Sequence, residues 1–131
     1  MNSINCKGKL LNLSEPVVMG IINATPDSFY KAHLPMSTDE ILLLAGKMIG
    51  DGAAILDIGG QSTRPGSERI SAQEETDRIL PLVECIHKAF PETALSVDTY
   101  QSTVAKAAVH AGASMVNDIS GGNMDADMLP V

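Results

Sequence analysis

The chain contains no tryptophan, and its aromatic residues are two tyrosines and two phenylalanines in 131 positions. A core of stacked rings is excluded, so packing must rest on Ile, Leu, Val, Met and Ala, which a hydrophobic content of 44% supplies. Positive charge is also scarce: nine Lys and Arg stand against sixteen Asp and Glu, for a net charge of −7, and no two basic residues adjoin. That balance argues against nucleic acid or an anionic membrane as the main partner. No apolar run approaches the length of a membrane-spanning helix, and Lys7 and Lys9 are not followed by the apolar stretch of a secretory leader. Cys6 and Cys85 stand alone, without the CxxC or Cys/His spacing of a redox pair or zinc site, which fits a reducing, cytoplasmic setting. The length accommodates one ordinary domain and not two.

Four short apolar runs recur: VVMGII (17–22), AAILDI (53–58), ALSV (94–97) and SMVNDI (114–119). They are continuous rather than alternating, the pattern of strands covered on both faces. Helical segments lie between them. Ser37 with Glu40, and Ser71 with Glu74, have the capping-box spacing. The first helix places Ile41, Leu44, Ala45 and Met48 on one face and stops near Gly52. The second carries Ile79, Val83, Ile86 and Phe90 inward and ends at Pro91, with a kink or irregular turn expected at Pro81. The third runs from about Gln101 to Ala111, with Val104, Ala107 and Ala108 inward and Gly112 as the C′ residue. Alternating strand and helix define an α/β protein with a parallel sheet. SINCKGKLLNL (3–13) reads as a hairpin turning at Lys7-Gly8 that caps one end of the sheet. NMDADMLPV, after Gly121-Gly122, reads as a fourth helix cut short, so that residues 1–131 are expected to form part of a longer domain.

Each strand finishes on a carboxylate or carboxamide: Asn23, Asp57, Asp98 and the pair Asn117-Asp118. Singly, each reads equally well as a helix cap or turn former. As a set, four such residues at four strand ends suggest a shared polar pocket, because parallel α/β folds place binding groups in those loops. The loop GGQSTRPGS (59–67) adds glycines for close backbone approach, hydroxyls at Ser62 and Thr63, and the planar cation of Arg64, suited to phosphate or carboxylate. An ordinary surface turn is the alternative for that loop.

GIINATPDSF, DIGGQSTRPGS, SVDT and VNDIS, in this order and spacing, resemble dihydropteroate synthases over essentially all of residues 4–131. The resemblance implies four βα units and an N-terminal hairpin, the N-terminal half of a (β/α)8 TIM barrel. It implies the condensation of 6-hydroxymethyl-7,8-dihydropterin diphosphate with p-aminobenzoate, with diphosphate released, in folate biosynthesis, and a sulfonamide target. It places Asp98 and Asn117 on the pterin ring with Ile119 against its face, and Asp57 at the pocket edge. Asn23 falls at the diphosphate end, beside Mg²⁺. Thr25 and Asp27 organise the first loop. Phe29 and Pro65 wall the p-aminobenzoate pocket. Ser62, Thr63 and Arg64 belong to the second loop, with Arg64 near the departing diphosphate. The residues nearest the reacting groups are thus Asn23, Thr63, Arg64 and Asp98.

The sequence departs from that family at three places. Where the family has Ser-Asp-Gly-Gly after TPDSF, this chain has Tyr30-Lys31-Ala32-His33, which suggests that Lys31 meets the diphosphate directly. Gln61 replaces the usual Glu of GGESTRPG. The chain also carries half of the family's strands, so the lone half barrel is expected to be inactive, with homo-oligomer formation as one way to cover its edges. The rival readings are a noncatalytic, self-associating half barrel and a methyltetrahydrofolate-binding methyltransferase domain, against which TPDSF and STRPG argue.

Overall fold

The structure is a computed structural model that describes residues 2–25, 36–62 and 65–130. Ser3–Cys6 (β1) and Lys9–Asn12 (β2) pair as an antiparallel hairpin. Lys7 and Gly8 both have positive φ, 51° and 87°, as expected of a two-residue turn whose twist matches its strands. The hairpin covers the amino-terminal end of the sheet, as its position in the sequence suggests. Lys7 Nζ donates to Val109 O, and Lys9 Nζ donates to Pro91 O at 2.9 Å and pairs with Glu92 at 2.9 Å.

Val18–Asn23 (β3), Ala53–Gly59 (β4), Ala94–Asp98 (β5) and Met115–Asn117 (β6) form one parallel sheet in the order β3-β4-β5-β6. Thr38–Gly50 (α1), Ala72–Ala89 (α2) and Ser102–Ala111 (α3) make the crossovers. Crossovers of one hand, along a strand order that never reverses, stack every helix on the same face. Ile22, Leu56, Ile58, Leu95 and Val97 supply the sheet side of that core. Ile41, Ala45, Ile79, Val83, Ile86, Val104 and Ala108 supply the helix side.

The opposite face carries the alternate residues. Its inner strand β4 is covered and its edge strand β3 is not: Ile55 and Asp57 are buried, whereas Ile21 on β3 is 60% exposed. The expectation that every strand is covered on both faces therefore holds for β4 and β5 but fails for the two edge strands, β3, with no neighbour on its outer side among the described residues, and β6, where Val116 is 39% exposed.

The helix boundaries depart from expectation only in detail. Ser37 and Glu40 close the full capping box of α1, with Glu40 N–H donating to Ser37 Oγ at 3.2 Å and Ser37 N–H to Glu40 Oε2 at 2.9 Å. At α2 only half of the box forms, because the Glu74 carboxylate turns forward to Arg78 at 2.7 Å instead of back to Ser71. No irregular turn occurs at Pro81; α2 is continuous, and Pro81 lies on its exposed side, where water can satisfy a freed carbonyl. Ala105, not Ala107, is fully buried on α3, and Gly112 is its C-cap.

The expected fourth helix is absent from residues 118–130, which form successive turns. Gly121 and Gly122 have φ of 61° and 84°, and Asp125 reaches back to bond the first amide of α3 at 2.7 Å. Those two features fold the segment against α3 rather than letting it wind.

Gly112 combines a φ of 131° with a crowded site, since a Cβ there would stand 2.5 Å from His87 Cγ. Gly112→Ala should therefore lose about 2 kcal/mol or more of stability in urea unfolding, from backbone strain and overlap together. Unchanged stability would contradict that close approach.

Candidate active site

Parallel register brings the strand ends into one row. Asn23 pairs with Gly59, Gly59 with Asp98, and Asp98 with Asn117. One layer below, Ile21, Asp57, Ser96 and Met115 are likewise in register. Residues in register on parallel neighbours share a face, so Asn23, Asp57, Asp98 and Asn117 all lie on the face away from the helices. Gly59 leaves a gap in the row. A Cβ there would stand 3.6 Å from Asp98 Cβ and 3.9 Å from Asn23 Oδ1, so a larger residue would project between the two polar groups.

Asp57 is 3% exposed, and Asn117 Nδ2 donates to its Oδ2 at 3.2 Å. Its other oxygen, Oδ1, is buried without a hydrogen-bond partner among the described residues. A buried acceptor of that kind is costly, and it leaves room for one more hydrogen-bond donor. Asp98 is raised from the ordinary 3.8 to about 6, chiefly by desolvation and then by the charges of Asp57, Glu75 and Asp118. At neutral pH it is predominantly the carboxylate, an acceptor for N–H groups.

Asp118 is spent differently. Desolvation acts upward on it. Hydrogen bonds from the Ser120 hydroxyl and from the amides of Ser120 and Gly122 nevertheless hold it below the usual carboxylate range. Of the Asn117-Asp118 pair, the first faces the site and the second shapes the turn behind it.

Ser62, Asp98 and Ile119 line one cavity of about 190 Å³ together with Gln61, Arg69 and Tyr100. Ile119 is 68% exposed. The Tyr100 hydroxyl donates to Gln61 Oε1 at 3.4 Å, and the Arg69 guanidinium lies 5.7 Å from the Tyr100 ring centre. Pro65 is exposed and does not line that cavity, and nearby Ser67 Oγ donates to Ser62 O at 2.8 Å. Thr25 is buried toward α1 and α2, in a separate small cavity with Asn23, Met36, Ile41, Arg78 and Leu82. Asp27, Phe29, Lys31, Thr63 and Arg64 lie outside the described residues. No cluster of three His, Cys, Asp or Glu side chains able to hold a metal occurs among the described residues; Asn23 offers one exposed carboxamide oxygen on the rim.

Reading strand ends alone misses residues that brace the site from behind. Arg78 Nη1 donates to Gly60 O at 2.9 Å and so holds the glycine loop from α2. Gln101 Nε2 donates to Glu75 Oε2 at 2.5 Å, tying the β5–α3 turn to the same helix. Glu75 has a visible sequence signal: it begins the stripe that continues through Ile79, Val83 and Ile86, which puts a carboxylate on a buried face.

Polar side chains collected at the carboxyl ends of successive parallel strands, with all helices behind them, define a ligand-binding site of the barrel-enzyme kind. The chain belongs to the pterin binding enzyme family, which residues 19–131 match. It is 49% identical over 129 residues to dihydropteroate synthase of Bacillus subtilis, covering 98% of this chain and 45% of that protein. Two solved structures of Xanthomonas albilineans dihydropteroate synthase superpose closely. The one with 4-aminobenzoic acid gives a TM-score of 0.88 at 38% identity, covering 98% of this chain and 47% of that one. The one in complex with 7,8-dihydropteroate gives 0.83 at 34% identity, covering 98% and 46%. The chain thus spans a little under half the length of these relatives, and its four-stranded arc corresponds to half of a (β/α)8 barrel.

The raised Asp98 makes stability depend on pH. Its contribution is fully present below about 3.8 and is lost as pH rises through about 6, because the unfolded chain releases that proton first. Asp98→Asn should therefore match the parent in thermal unfolding at pH 4. At pH 8 it should exceed the parent by about 1 kcal/mol, after discounting for the half-exposed position. Equal stabilities at both pH values would contradict the assignment.

Proposed function

We propose that this chain forms the pterin-binding wall of a dihydropteroate synthase, which joins 6-hydroxymethyl-7,8-dihydropterin diphosphate to p-aminobenzoate and releases diphosphate. The observation that carries the reading is the buried Oδ1 of Asp57, without a hydrogen-bond partner among the described residues, beside Asp98 and Asn117 on one face. A pterin presents N–H donors along its pyrimidine edge and acceptors beside them. Two carboxylates and a carboxamide are complementary to such an edge, and exclusion of water strengthens each bond. Family membership and the ligands named for the Xanthomonas structures support the same choice.

In the reaction, the bond between the pterin methylene carbon and the diphosphate oxygen breaks, and the diphosphate takes the electron pair. The aniline nitrogen of p-aminobenzoate then bonds to that carbon and passes one proton to water or to the released diphosphate. Positive charge developing toward the pterin is steadied by Asp57 and Asp98, already oriented before the step. No covalent attachment to the protein is needed. Asn23 Oδ1 suits one coordination position of Mg²⁺, which takes few protein ligands and draws others from phosphate and water. When bound, Mg²⁺ offsets negative charge on the departing diphosphate. Arg64 is assigned to the same leaving group.

Two free cysteines, one of them buried, fit a cytoplasmic setting for this chemistry. No described helix is long and apolar enough to cross a membrane. Among the described residues the outer edges of β3 and β6 are unpaired, which leaves homo-oligomer formation available to the chain.

Titration calorimetry tests the reading directly. The 131-residue chain should bind 6-hydroxymethyl-7,8-dihydropterin in preference to methyltetrahydrofolate, with affinity falling as pH drops below about 6. Asp98→Asn should weaken that binding by about tenfold or more, the worth of one charged hydrogen bond. A preference for methyltetrahydrofolate, or indifference to Asp98→Asn, would overturn it. In a coupled assay for diphosphate release the same chain should show no turnover, because one face of the substrate site is left uncovered.

A further inference from the structure

Glu75 is 1% exposed and has no part in the chemistry described above. It lies in the first turn of α2, and the periodicity of the helix drives its carboxylate inward with Ile79 and Val83. A buried carboxylate is tolerated when its oxygens are bonded. Here the partners are neutral, and burial pushes the Glu75 carboxyl above its ordinary value despite them: Gln101 Nε2 donates at 2.5 Å, and the Thr99 side chain also hydrogen-bonds it. Arg78, the cation acting on it from the same helix, is committed to Gly60 O and Glu74.

Both partners of Glu75 belong to the short turn that follows Asp98. Gln101 N–H donates to Thr99 Oγ1 at 3.1 Å, closing that turn. Gln101 occupies the N-cap position of α3 yet makes no side-chain cap bond, because its carboxamide is turned to Glu75. Asp125 serves as the cap in its place, accepting from Ser102 N–H at 2.7 Å. Gly60 packs directly on Glu75: a Cβ there would stand 3.3 Å from Glu75 Cγ. Glu75 and Asp98 line the same cavity.

We propose that Glu75 is a positioning residue for Asp98: held by Gln101 and Thr99, it fixes the turn that carries Asp98 and sets a further carboxylate beside it. The proposal rests on the pterin-binding reading and adds a residue to it. The charged groups acting on Asp98 are Asp57 from β4, Glu75 from α2 and Asp118 from the loop after β6. Arg78 and Arg69 are the cations nearby on the α2 side, the latter over the Tyr100 ring, and the first turn of α3 carries no acidic residue. Glu75 therefore acts on Asp98 both through the turn and through space.

The test uses the 131-residue chain and the variants Glu75→Gln, Glu75→Ala, Gln101→Ala and the Glu75→Ala/Gln101→Ala double. Dihydropterin affinity is measured by calorimetry, and titration of the Asp98 carboxyl is followed by carbon NMR without ligand. Glu75→Ala and Gln101→Ala should each weaken binding by about tenfold, and the double variant should be no weaker than the poorer single, because one latch is removed either way. Glu75→Gln keeps an acceptor for Gln101 and loses the charge. It should bind within about threefold of the parent at pH 7.5, while the Asp98 midpoint and the acid limb of binding move down by up to about one pH unit. Lower thermal stability in every variant, with affinity and the Asp98 midpoint unchanged, would overturn the proposal, since a merely structural Glu75 moves only the former. Should Glu75→Ala fail to fold, Glu75→Gln and Gln101→Ala decide the matter. A parent chain that does not bind dihydropterin would count against the functional reading. The ligand-free Asp98 titration would still decide for or against the action of Glu75.

Discussion

Parallel hydrogen bonding of β4 to β3 on one side and β5 on the other governs the rest of the molecule. It pairs Asn23 with Gly59 and Gly59 with Asp98, and one further step reaches Asn117. Because the pleat alternates with a period of two, a slip of one residue on any strand would turn its polar group into the helix core and an isoleucine or valine into the site. The packing of Leu56, Ile58, Leu95 and Val97 against α1, α2 and α3 resists that slip. The apolar core thus fixes the register, and the register builds the site.

Charge distribution at the site opposes stability. Asp57, Glu75 and Asp98 converge without a cation bonded to any of them among the described contacts, and burial adds its own penalty at Asp98. Such an arrangement is retained where a ligand donates to it, since binding relieves both the repulsion and the unpartnered oxygen. The surrounding devices are local. Arg78 holds the glycine loop, Asp118 shapes the turn after β6, and Asp125 caps α3 from twenty-three residues away. Each uses a charged group on backbone amides or carbonyls, where it is well satisfied, and leaves the concave face to the acids.

Much of this was legible in the residues. The apolar runs mark the four strands to within a residue or two, and the Ser37/Glu40 spacing marks the start of α1. The hairpin turn follows from Lys7-Gly8. The failures have physical causes. The Ser71/Glu74 spacing promises a box that Arg78 breaks, because a guanidinium one turn away competes for the same carboxylate. NMDADMLPV reads as the start of a helix, but two positive-φ glycines just before it and the Asp125 cap draw its described residues into turns.

The sequence by itself determined the alternation of strand and helix, the polar residue at each strand end, and the motifs shared with pterin binding enzymes, because these depend on local spacing and residue chemistry. Tertiary structure alone decided which polar groups meet. Asn117 holds Asp57 across sixty positions, and Gln101 reaches Glu75 across twenty-six. It also decided that Asp57 keeps one oxygen unpartnered among the described residues and that Asp98 holds its proton to about pH 6. Those are consequences of burial and of charges brought together by folding, and neither is a property of any short stretch of chain.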